Sequence, residues 1–130
     1  MSANPAPGFR KYPDHRIAIQ PAGLRVQVKL RGEVIADSRD AVQMVEAMEG
    51  STVAPTVYYL PRKDVRMDRL VRTGHHTYCP FKGQAAYFSL TEGPQNAVWS
   101  YEQPYDEMAG IKDLVAFYPD KVDAIEVSRD

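Results

Sequence analysis

The stretch Leu24-Arg25-Val26-Gln27-Val28-Lys29-Leu30-Arg31 alternates apolar and polar side chains without a break. A strand turns successive side chains to opposite faces, so this period of two predicts a β-strand with one wet face. A helix would need a period of about 3.6. Gly32 follows as a turn residue, and Val34-Ile35-Ala36 reads as the returning partner of a hairpin.

Outward from this hairpin, most of the chain repeats the same signal. Ile17 and Ile19 alternate with polar neighbours before Pro21, and Thr56 to Leu60 is β-branched and aromatic up to Pro61. Ala85 to Leu90 and Ala97 to Tyr101 read as strands joined by the turn-rich Thr91-Glu92-Gly93-Pro94-Gln95. Val115 to Tyr118 and Ala124 to Val127 suggest a last hairpin about Pro119-Asp120-Lys121, and Asp106 to Asp113 suggests a short helical turn. Residues 62–74 are charged and read as surface loop.

One segment fits two periods. Ser38 could cap a helix whose apolar face is Ala41, Val42, Val45 and Met48, while Val42 and Met44 flank Gln43 as they would in a strand. The pattern alone favours a helix over 38–49. The fold expected is mainly β: a single compact domain over residues 16–130, made of short antiparallel strands in a sandwich or barrel-like sheet with little helix. Residues 1–15, rich in Pro, Gly and polar groups, read as a flexible N-terminal arm.

Bulk properties narrow the function. The composition is 44% hydrophobic and 25% charged, close to globular averages, which argues against disorder. Net charge is −1 with a pI near 6.3, so a dedicated nucleic-acid binder, which needs a basic face, is not expected. Cys79 is the one cysteine, so no internal disulfide can form and a reducing compartment fits. Met1 to Gly8 has no apolar run and reads as no secretory signal, and no stretch approaches a membrane span. The cytoplasm is the expected location.

The chemistry-bearing residues gather in three stretches: Tyr58-Tyr59-Leu60-Pro61-Arg62-Lys63-Asp64-Val65, then Cys79-Pro80-Phe81-Lys82-Gly83, then Ala97-Val98-Trp99-Ser100-Tyr101. With Val115-Ala116-Phe117-Tyr118 near the end, this order resembles a bacterial family catalogued as a domain of unknown function and sometimes labelled nucleotidyltransferase-like. The resemblance covers about residues 24–127. It implies a mostly β fold, which moves residues 38–49 toward an extended conformation, and it implies no established activity.

Nucleotidyl transfer itself needs paired carboxylates for Mg²⁺ and a Gly-rich or helix-terminal phosphate cradle. Asp64 and Asp68 stand near the motif without such a loop. Cys79 reads either as a nucleophile, its thiolate helped by Lys82, His75 or His76, or as a small buried side chain. His75-His76-x-x-Cys79 offers three zinc-type ligands but no second cluster, and no metal or cofactor is expected. Arg62, Lys63, Arg66, Arg69 and Arg72 form a basic run, of which Arg62 stands out because Asp64 could hold it or a ligand could claim it.

Alternation places Tyr58 and Tyr59 on opposite faces, so that only one should reach the core, and puts Trp99 and Tyr101 on the same face. The function preferred is a small-ligand site gathered from Tyr59, Arg62, Cys79, Lys82 and Trp99, its ligand anionic. The alternative is a protein-interaction or scaffold domain without chemistry. Ion-paired Arg62 and Lys82 head groups would favour the latter. Whether the protein is an enzyme, and its oligomeric state, stay open.

Overall fold

In the computed structural model, which describes residues 3–129, the opening hairpin is β2 (Arg25–Leu30) and β3 (Glu33–Ser38). Arg31 and Gly32 form its two-residue turn, both with positive φ (53° and 78°), the turn whose twist matches a right-handed hairpin. Val26 and Val28 are fully buried while Arg25, Gln27 and Lys29 stay partly wet. Val26→Ala should therefore cost about 1–3 kcal/mol, read as a lower urea midpoint with unchanged m.

The remaining strands are β1 (His15–Pro21), β4 (Val42–Met48), β5 (Ser51–Thr52), β6 (Val57–Tyr59), β7 (Leu70–Cys79), β8 (Gly83–Leu90), β9 (Val98–Ser100), β10 (Val115–Phe117) and β11 (Ala124–Ser128). They form three antiparallel sheets. β4 pairs with β1 on one side and with β5 and β6 on the other; a second sheet runs β10-β9-β8-β7; a third runs β11-β2-β3. Backbone hydrogen bonds between Leu60 and Val115 tie β6 to β10, and a bridge from Ala36 to Val65 ties β3 to the segment after β6. Among the described residues no sheet closes on itself, so the arrangement is layered rather than a barrel.

In the middle sheet β8, β9 and β10 are packed on both faces, while the edge strand β7 is largely exposed. Phe88, Leu90, Val98, Val115 and Phe117 pack against Val26, Val28 and Ile35 in a first core. Ala85, Tyr87, Trp99 and Ala116, on the opposite face, pack with Met44, Tyr59, Met108 and Ile111 in a second. Tyr58 joins the first core and Tyr59 the second, which corrects the expectation that only one of them would face a core. Trp99 and Tyr101 share the second core as expected.

Other expectations change as well. Residues 42–48 are strand, not helix: Ser38, the would-be cap, is buried and donates to Asp64 Oδ2 (2.7 Å) while accepting from the Asp40 N–H (3.0 Å). The charged stretch is loop only as far as residue 69, with three-ten turns at Arg62–Asp64 and Met67–Arg69; from Leu70 it is the edge strand β7, bulged at residues 73–75. β10 and β11 form no hairpin, because β10 pairs with β9 and β11 with β2, the chain crossing between sheets through Pro119–Lys121. The turn expected near Asp106 is a three-ten segment, Asp106–Ile111.

Residues 4–15, expected as a flexible arm, lie against the body. Asn4 and Asp106 exchange hydrogen bonds (2.7 and 2.9 Å), and the Gly8 N–H donates to the Pro80 carbonyl (2.9 Å). In the short helix α1 (Gly8–Lys11), a Cβ on Gly8 would come within 2.7 Å of the Phe81 ring, so only glycine permits that approach. Phe81 in turn stacks on His15 (4.2 Å between centroids). No described helix is long and apolar enough to cross a membrane.

Candidate functional site

The tyrosine-rich end of β6 sets the site. Alternation sends Tyr59 inward, where its ring meets Trp99 edge-on (6.2 Å, 87°) and its hydroxyl accepts from Trp99 Nε1–H (3.3 Å). Trp99 lies against Tyr118 (4.4 Å between centroids), whose hydroxyl shares a hydrogen bond with Tyr87 (3.1 Å), and Tyr87 shares another with Thr77 (3.0 Å). Burial pushes the Tyr59 and Tyr118 phenols up, beyond the ordinary tyrosine range, so both stay neutral and act only through hydrogen bonds and ring faces.

Beside these rings opens a cleft of about 430 Å³, lined from β6, the segment before it, β10 and β11. Tyr58, Trp99, Phe117, Tyr118 and Ile125 form its aromatic and aliphatic walls, with Ala54 half-buried along it. Among the described residues no charged side chain lines it. A concave apolar space of this size, with few polar groups, is the usual form of a small-molecule pocket.

The expected cations stand elsewhere. Ser100 and Trp99 are adjacent on β9 and face opposite ways, and Arg62 sits on the Ser100 side: its Nη2 donates to Ser100 Oγ (3.0 Å) and Glu102 Oε2 (2.9 Å), its Nε to the Asp113 carbonyl (2.7 Å). Asp64, the anticipated partner of Arg62, bonds Ser38 and pairs with Lys63 instead. Lys82 Nζ pairs with Glu46 Oε1, both largely buried, and Glu46 Oε2 meets His15 Nε2 at 3.0 Å. Burial acts to raise the Glu46 carboxyl, but the Lys82 and His15 contacts outweigh it and hold it below the ordinary value. Cys79 ends β7 half-buried, its carbonyl accepting from the Lys82 N–H (3.2 Å).

Of the five residues expected at one site, the structure brings Tyr59 and Trp99 into contact and separates Arg62 by the thickness of the sheet. His75 sits in the β7 bulge against Tyr87 (4.6 Å), and among the described residues no three His, Cys, Asp or Glu side chains are grouped to hold a metal. Glu46, Glu102 and Tyr118 were not anticipated as site residues. Glu46 had a signal: it occupies the inward register of β4 after Val42 and Met44, where a charge needs a partner.

A family described as a domain of unknown function, DUF427, and named NTP_transf_9, matches residues 18–128. The chain belongs to this family. The DUF427 match spans every strand from β2 to β11, so the buried residues of both core clusters and the lining of the cleft lie within the family domain. No curated protein matches the chain.

Proposed function

We propose that this DUF427 domain binds a small, neutral, largely apolar ligand in the cleft beside Trp99. The observation that supports it is the cleft itself: an uncharged, aromatic-walled space of about 430 Å³ left open between well-packed sheets. The nucleotidyl-transfer label gains little from the acids near the motif, since Asp64 bonds Ser38 and Asp68 pairs with Arg66. An anionic ligand held jointly by Arg62 and Lys82 is disfavoured, because the two head groups answer different carboxylates.

The test uses the single tryptophan as reporter. N-phenyl-1-naphthylamine, a neutral apolar probe, should saturate and change Trp99 emission. Ala54→Phe, placed at the half-buried wall, should weaken that binding at least tenfold without lowering the melting temperature. Non-saturating emission, or equal binding by Ala54→Phe, would remove this reading. The scaffold reading would then stand, favoured already by the ion pairing of both Arg62 and Lys82.

A further inference from the structure

Arg62 and Arg72 converge on one carboxylate. Arg72 grips Glu102 with two hydrogen bonds (2.9 and 2.7 Å), and Arg62 adds a third (2.9 Å). Both guanidiniums stand over the Phe88 ring, at 5.6 and 4.9 Å from its centroid, which fixes their planes. The remaining acceptors of Arg62, Ser100 Oγ and the Asp113 carbonyl, are neutral. Two cations thus share one anion, and among the described residues no second carboxylate pairs with either arginine. The Arg72 hydrogen bond, ahead of its other contacts, holds the Glu102 carboxyl down to about 2, so Glu102 stays ionised and this count holds at neutral pH.

Beside Glu102 lies a pocket of about 280 Å³, floored by Ala86 and walled by His76, Gln84, Gln103 and Glu102, with neither arginine among its described lining residues. The side chains of His76, Gln84 and Gln103 have no hydrogen-bond or ion-pair partner among the described residues. Each carries at least one N–H donor. The Glu102 oxygens, by contrast, already accept three N–H groups. The pocket therefore offers exposed, uncommitted donors beside a surplus positive charge, a combination that suits a small oxyanion. It shares no lining residue with the apolar cleft.

We propose that this pocket is a second binding site, taking a small oxyanion of the phosphate or carboxylate class between His76, Gln84 and Gln103 with Arg72 and Arg62 supplying the charge. The cationic partner of Arg62 is then Arg72 on β7, not Lys82. Because Arg72 and His76 belong to the edge strand and Glu102 and Gln103 to the segment after β9, the site exists only when β7 is paired on β8.

The test is titration of the full chain, ¹⁵N-labelled, with inorganic phosphate and separately with succinate, ionic strength held constant with sodium chloride. Saturable shifts at the Gln84 and Gln103 side-chain amides with either anion are expected, and which anion acts identifies the source. Gln84→Glu sets the local charge to zero at an exposed position and should weaken binding at least tenfold with an unchanged melting temperature. Arg72→Gln should weaken it similarly. Linear shifts without saturation, shifts that map elsewhere, or a Gln84→Glu protein that binds as wild type would overturn the site. Probe binding in the apolar cleft is untouched by any of these outcomes.

Discussion

Glu46→Ala is expected to destabilise the protein by about 3–5 kcal/mol, because it strands the largely buried Lys82 ammonium without its carboxylate. It also removes the partner of His15 Nε2, whose other ring nitrogen, Nδ1, is already buried without a partner among the described residues. The double replacement Glu46→Leu with Lys82→Met, which deletes both charges and keeps the volume, should recover most of the loss, since a buried pair is often no more stabilising than apolar packing. Urea denaturation measures both. A Glu46→Ala loss below about 1 kcal/mol would mean that water reaches the pair as it does a surface ion pair. The same pair gives an acid limb. The folded carboxyl of Glu46 lies below its unfolded value, so its contribution is complete above the ordinary carboxylate range and is lost as pH falls through the depressed folded value. Wild type and Glu46→Ala should therefore converge in stability at low pH.

Leu60→Ala is expected to cost about 2–5 kcal/mol. Leu60 is 1% exposed and stands at the junction of β6 and β10, where its N–H and carbonyl bond Val115 at 2.8 and 2.9 Å. Its side chain packs in the first core and also walls the apolar cleft. Truncation should thus lower the denaturation midpoint and enlarge the cleft, so the folded variant binds N-phenyl-1-naphthylamine at least as tightly as wild type. A loss of probe binding by folded Leu60→Ala would show that the cleft wall, not the open volume, governs entry.

Much of the β architecture was legible because period two is written into single segments. Leu24 to Leu30 alternates within seven residues, and Ala85 to Leu90 is apolar on both faces apart from Ser89 because both faces meet a core. β7 was hidden for the opposite reason. Its exposed, polar residues around Gly74 carry no apolar period, and the strand forms because β8 offers a hydrogen-bonding edge. Residues 42–48 carry both periods; strand pairing with β1 and β6, and the diversion of Ser38 to Asp64, decided between them.

The candidate site divides along the same line. The aromatic and basic motif residues could be picked out from the chain, as could the opposition of Tyr58 to Tyr59. Which residues meet could not, since that depends on strand order. Tyr59 reaches Trp99 because β6 joins β10 and β10 joins β9, and Arg62 reaches Arg72 through Glu102 because the middle sheet separates its faces. By itself the sequence determined the β class, the opening hairpin and its buried valines, since these rest on alternation between near neighbours. Tertiary structure alone decided that Lys82 belongs to Glu46, that β10 and β11 part company, and that a cleft opens beside Trp99, because each depends on contacts between segments far apart in the chain.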